Sequence, residues 1–285
     1  MNKQKIAIMV DSGTDVPPNY RKKYGIYWLP LMINYSNRQC LDGIDITPRE
    51  MYDLLPVEIP KTSLPDGGAI VDMFDRIKAD GYEKVLAVTI SSGLSGTYNM
   101  VRLMAEEYNG LEIYVLDSRN ISIGAGMLAI RAAQMVNDEG SSWENLIMKI
   151  PREVGKSKVF FCVDTLKYLQ KGGRIGLVTA MLGSSLNLKP VISCNSDGIY
   201  YTVAKAMGRA RSIQKIIDLA ADFASKAERA ELAIMNGCAE TEALAARKKA
   251  EGMIVNGVFT VAGQIGAALG VHTGPGLIGI GVFQR

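Results

Sequence analysis

Over the first half of the chain, apolar and polar positions come in blocks rather than residue by residue. Residues 5–10 (KIAIMV), 84–90 (KVLAVTI) and 111–116 (LEIYVL) are short apolar runs rich in β-branched side chains. Small polar residues end each run, as Asp11-Ser12, Ser91-Ser92-Gly93 and Asp117-Ser118. Helical segments follow at roughly 68–79, 94–108 and 124–138. Apolar strands alternating with helices predict a parallel sheet covered on both faces, Rossmann-like in layout. Sheets of that kind bind ligands beyond the carboxyl ends of their strands. The serine-bearing strand ends are therefore the first place to look for a site.

The second half has a different pattern. Residues 158–163, 190–194, 199–204, 231–235 and 277–283 carry strand signals, and 195–198 (NSDG) joins two of them as a hairpin turn. Helices are expected at 210–226 and 240–251. These signals predict an α+β unit with a mixed, partly antiparallel sheet. The change of pattern falls in 150–157, where Pro151 and Gly155 interrupt the chain. We expect an N-terminal α/β domain over 1–152 and a C-terminal α+β domain over 153–285. The uncharged stretch 252–284 is long enough to cross a membrane, but it holds nine glycines, Pro275 and His272. It reads instead as strand, short helix, turn and strand in a packed core, and no transmembrane segment is expected.

Composition narrows the possible functions. The chain has 285 residues, 48% apolar and 21% charged, as a folded globular protein does. Its net charge of +3 is too small for a nucleic-acid binder. The charge is unevenly spread, with 15 basic and 19 acidic side chains in the first 150 residues against 17 and 10 in the rest. The second half thus offers a mildly basic surface to an anion or an acidic partner. The four cysteines show no CxxC spacing, which fits a reducing cytoplasm rather than a disulfide framework. With a single histidine, His272, no multi-histidine metal centre is expected.

The candidate chemistry is that of anion binding. Residues 90–98 (ISSGLSGTY) follow a strand and open a helix, so glycine-exposed amides and the hydroxyls of Ser92, Ser95 and Thr97 suit a carboxylate or phosphate. The proline-bounded loop 60–65 (PKTSLP) brings further hydroxyls. His272 lies in a glycine-rich turn, 270–276 (GVHTGPG), that can aim a side chain at a site. Residues 165–175 collect Lys167, Lys171 and Arg174 around a Gly-Gly stop. A serine hydrolase using Ser92 or Ser95 with His272 is an alternative, but the GxSxG elbow is missing. A nucleotide-binding regulator is another, without a GxGxxG fingerprint to support it.

Several motifs occur together in order: 10–15 (VDSGTD), 61–65 (KTSLP), 90–98, 115–118 (VLDS), 166–175 (LKYLQKGGRI), 188–190 (LKP) and 272–276 (HTGPG). As an ordered set spanning the chain, they resemble the DegV family, the fatty-acid-binding subunits of bacterial fatty acid kinase. The resemblance implies a long-chain fatty acid such as palmitate, held between two domains. Its carboxylate would meet Thr62 and Ser95, with Ser92 and His272 close by. It also implies a non-catalytic carrier, needing no cofactor, that presents this carboxylate to a separate ATP-dependent kinase subunit for acyl-phosphate formation and phospholipid synthesis. Arg174, Lys205, Arg209 and Arg211 are the expected docking residues. The chain departs from the pattern in two places. Met207 precedes Gly208 where the family often has a basic residue, and Asp66 follows Pro65 where it often has serine.

Overall fold

The structure is a computed structural model and describes residues 2–181 and 187–285. In chain order the first half contains β1 (Ile6–Asp11), α1 (Pro18–Tyr24), β2 (Tyr27–Leu29), β3 (Met32–Asn34), β4 (Gln39–Leu41), α2 (Pro48–Leu54) and β5 (Lys61–Ser63). It continues with α3 (Gly67–Ala79), β6 (Lys84–Thr89), α4 (Thr97–Glu107), β7 (Glu112–Asp117), α5 (Ile123–Asn137) and α6 (Trp143–Lys149). The second half contains β8 (Ser157–Cys162), α7 (Lys167–Lys171), β9 (Leu188–Cys194), β10 (Tyr200–Met207) and α8 (Arg209–Ala224). After these come β11 (Ala230–Asn236), α9 (Glu240–Met253), β12 (Gly257–Gln264), α10 (Ala267–Thr273) and β13 (Ile278–Gln284).

The apolar runs of the first half form the expected parallel sheet, in the order β2-β1-β6-β7. Alternation along the strands sorts their side chains onto two faces. Ala7, Met9, Val85 and Ala87 pack against α3 and α4 through Ile70, Phe74, Ile77 and Val101. Ile6, Ile8, Val10, Leu86 and Val88 face the other way, toward α5. The second half forms a six-stranded mixed sheet, β10-β9-β8-β13-β11-β12, in which only the pair β11–β12 is parallel. Ile278, Ile280 and Val282 of β13 pack with Ile216, Ile217 and Ala220 of α8 and Ala243, Ala246 and Ala250 of α9.

α5 lies between the two sheets. Twelve of its 15 residues are buried, as befits a helix that is apolar all round. Two glycines allow the close fit. A Cβ at Gly126 would lie 2.4 Å from the Thr14 carbonyl, and one at Gly281 of β13 would lie 2.8 Å from Ile123. One apolar cluster thereby runs through both halves of the chain, from Val10 and Leu86 through α5 to Phe161 and Phe283.

Two expectations need correction. Residues 61–63 are not loop. They form β5, the edge of a small antiparallel sheet in the order β4-β3-β5. Three residues between Pro60 and Pro65 are too short to show a strand period. α4 begins at Thr97 rather than near 94, because 91–96 is held as a turn by Ser95 N–H donating to the Ser91 carbonyl. The stretch 252–284 folds as strand, short helix, turn and strand, and no helix among the described residues is long and apolar enough to cross a membrane.

Candidate functional site

Beyond the carboxyl ends of the parallel strands, four segments converge. Thr62 comes from β5, where it pairs with Ile33. Ser95 comes from the turn between β6 and α4. This turn is pinned to the second half by the Ser91 hydroxyl, which donates to the Gly198 carbonyl at 2.9 Å. Gly93 lies so close to the 195–198 hairpin that a Cβ there would be 2.8 Å from the Asp197 carbonyl. His272 comes from α10. Arg174 follows α7 and folds back, donating to the Gly172 carbonyl at 2.8 Å and the Leu94 carbonyl at 3.3 Å.

These side chains line a cavity of about 740 Å³, open solvent at its mouth included, with Leu31, Ile90 and Leu94 among its walls. The Thr62 hydroxyl is 2.6 Å from His272 Nε2. His272 Nδ1 is buried and has no hydrogen-bond partner among the described residues. Burial first, and then the nearby Arg174 guanidinium, pull the imidazole pKa down to about 4. His272 is therefore neutral at neutral pH. Of its two tautomers, the one protonated on Nε2 leaves the Thr62 proton free to donate into the cavity. Arg174 supplies the positive charge, and the amino end of α4 adds its dipole next to Ser95.

Ile121, Tyr200 and Leu269 also line a second, apolar chamber of about 390 Å³, any open solvent included. Its other walls include Ile123, Val159, Phe161, Met235, Ile265 and Leu277. The polar mouth and the apolar interior thus share three lining residues. On its outer side, Thr62, Arg174 and His272 also border an open cleft that carries Lys61, Lys167 and Lys171.

α10 is held at its far end by carboxylates from the first half. Asp15 accepts from Gly266 N–H at 2.8 Å and from the Ser122 hydroxyl. Asp42 accepts from Ala267 N–H at 2.9 Å and from the Ser12 hydroxyl at 2.7 Å. Burial raises the pKa of both groups, that of Asp15 to about 7.

The structure brings Thr62, Ser95 and His272 together. Ser92 is not part of this group. Its hydroxyl donates to Asp117 at 2.6 Å on the exposed side of the turn, because one serine of such a turn faces the cavity and another faces out. Arg174, expected on a docking face, lines both the mouth and the basic cleft outside it. Arg209 is paired with Glu242 at 2.9 Å, while Lys205 and Arg211 are exposed. Asp66, the departure after Pro65, caps α3 by accepting from Gly68 N–H at 2.6 Å. Sequence reasoning missed Asp42 and Tyr200, which nothing in their own segments sets apart from the neighbouring Asp45 and Tyr201. It noticed Asp15 only as part of a motif.

A family described as "Uncharacterised protein, DegV family" matches residues 5–285. A DegV domain-containing protein of Clostridium acetobutylicum is 39% identical, over 99% of this chain and all of its own. Among solved structures, a fatty-acid-binding DegV family protein from Thermus thermophilus is 29% identical with a TM-score of 0.92, each chain fully covered. A stearic-acid-binding protein from Eubacterium ventriosum is 27% identical with a TM-score of 0.89, over 98% of each chain. By the extent of the family match and the identity to its relative, this chain belongs to the DegV family.

Proposed function

We propose that the protein is a non-catalytic, cytoplasmic carrier that binds one long-chain fatty acid, such as palmitate, between residues 1–152 and 153–285. The observation that carries this reading is a polar cavity beside an apolar one, with Ile121, Tyr200 and Leu269 in the walls of both. Burying about 14 methylenes at ~0.8 kcal/mol each supplies roughly 11 kcal/mol of gross transfer energy, from which ordering losses subtract. A buried carboxylate needs convergent donors. Thr62, Ser95 and Arg174 are placed to supply them, and His272 Nε2–H orients the Thr62 hydroxyl toward the ligand. Solved relatives named as fatty-acid-binding support the same reading. The cysteines present are all unpaired, in keeping with a reducing compartment.

A hydrolase is disfavoured by the pairings of the serines. Ser95 bonds to Thr97, Ser92 to Asp117, and His272 to Thr62. Mass spectrometry of an organic extract of the purified protein tests the carrier reading. A retained fatty acid is expected, and a nucleotide in its place would overturn it.

We further propose that the carboxylate is presented to a separate ATP-dependent kinase subunit through the basic cleft outside the mouth. Lys205 and Arg211 are exposed and form no ion pair among the described residues, whereas Arg209 is occupied by Glu242. Rim charges act mainly on association rate. Reversing Lys205 and Arg211 to Glu is expected to slow acyl-phosphate formation at low salt and to leave fatty acid binding unchanged. A wild-type rate at low salt would place docking elsewhere.

A further inference from the structure

The register of the six-stranded sheet defines the path taken by an apolar tail. On the face toward α5, Tyr200, Cys194, Gly281, Ala233 and Val261 stand in one row across the strands, from β10 to β12. Val159 of β8 lies opposite Gly281 in the same row. The next row runs through Ile192, Phe161, Gly279 and Met235. Tyr200 belongs to both the mouth and the inner chamber and stands on β10, at one edge of the sheet. Its ring packs edge-on against Phe161, with centroids 5.3 Å apart. Beyond this throat the chamber continues over β13, which lines it with Gly279, Ile280 and Gly281, the two glycines on the face toward α5, and reaches Met235 on β11 and Ile265 after β12. Met235 and Ile265 are 4% and 1% exposed, so this end is closed.

We propose that the ligand's tail crosses the sheet at right angles to its strands, over the bare backbone of Gly279 and Gly281, and that Met235 and Ile265 form the end wall that sets chain length. This rests on the fatty-acid reading above. Along this path β13 is the low point, since it offers two glycines where its neighbours β8 and β11 offer Phe161 and Met235. A side chain at 279 would raise that low point, since its Cβ would lie 3.2 Å from the Phe161 Cβ and in the tail's path. The end wall is partly adjustable. Met235 has an unbranched, flexible side chain that can yield to an extra carbon, whereas Ile265 is β-branched and stiff. The chamber therefore selects a narrow band of lengths rather than a single one.

The test is a competition. Wild type, Met235→Ala and Gly279→Ala are each equilibrated with an equimolar mixture of saturated fatty acids of twelve to twenty carbons, then washed and extracted for mass spectrometry. Thermal melting confirms that each variant is folded. Met235→Ala opens the end wall by three heavy atoms, and its preferred length is expected to rise by about three carbons, since a packed interior gives space back roughly atom for atom. Gly279→Ala is expected to shift the preference toward shorter chains. An unchanged length distribution in folded Met235→Ala, with wild type retaining fatty acid, overturns the end-wall assignment even if Gly279→Ala fails to fold. If wild type retains no fatty acid from the mixture, the carrier reading itself falls, and this assignment with it.

Discussion

At the scale of single residues, the proposed carboxylate site rests on hydroxyls beside an imidazole that carries no charge. Thr62→Ala and Ser95→Ala are each expected to weaken fatty acid binding by about 1–3 kcal/mol, because a buried carboxylate loses a donor. Calorimetry giving wild-type affinity for both variants would remove the site. Thr62→Ser keeps the hydroxyl and should retain most of the affinity. As the chain's one histidine, His272 gives a single imidazole signal by nuclear magnetic resonance. In delipidated protein it should titrate near 4, held down by burial and Arg174. A carboxylate bound beside it favours the charged ring, so loading with fatty acid should move the titration upward. An unmoved curve would mean that the carboxylate sits elsewhere. Much of this site was legible in the sequence. Thr62, Ser95 and His272 stand out because hydroxyls and an imidazole sit in proline- or glycine-bounded turns. The place of Arg174 at the mouth was not legible, because nothing local shows that the turn after α7 folds back on Leu94. Ser92 was misplaced because a one-residue difference in phase decides which serine of a turn faces inward.

Among the elements, α10 shows how a short helix can be made a precise carrier of functional groups. It has seven residues, too few to be stable by propensity alone. Its amino end is held by Asp15 and Asp42, and its other end offers His272 to Thr62. The Asp15 carboxyl is pushed up to about 7, by burial first and to a lesser degree by Asp42 and Asp11, against the opposing bonds from Ser122 and Gly266. Between its ordinary value of 3.8 and about 7, the folded chain holds more protons at this group than the unfolded chain does. Its contribution to stability therefore falls as pH rises through that window. An asparagine at 15 can still accept from Gly266 and donate to Ser122, but it does not titrate. Asp15→Asn is accordingly expected to flatten the fall in stability between pH 5 and 7, by at most about 1.4 kcal/mol per pH unit. Urea unfolding at stepped pH measures this, and a slope equal to wild type would mean that Asp15 is ionised throughout. The sequence showed Asp15 within VDSGTD but gave no sign of its partner, since 251 residues separate it from Gly266. The longer elements were legible because each buries a full face, whereas β2 to β5 are three residues each and too short to show a period.

Across the whole molecule, both sheets lean on one helix, and the mixed sheet depends on one strand. β13 stands between β8 and β11 and pairs with both. Without it, β8–β10 and β11–β12 are two separate fragments, since no other described strand joins them. Its partner β8 lies more than a hundred residues earlier in the chain. Pairings across such separations close late, because loop entropy is lost before any contact compensates for it. The strand that closes the sheet also carries Gly279 and Gly281, the floor of the apolar chamber. Completion of the sheet and formation of the chamber are then a single kinetic event. A partly folded chain has no tail site to fill, so a fatty acid can act as a thermodynamic stabiliser of the finished protein without serving as a template for its folding.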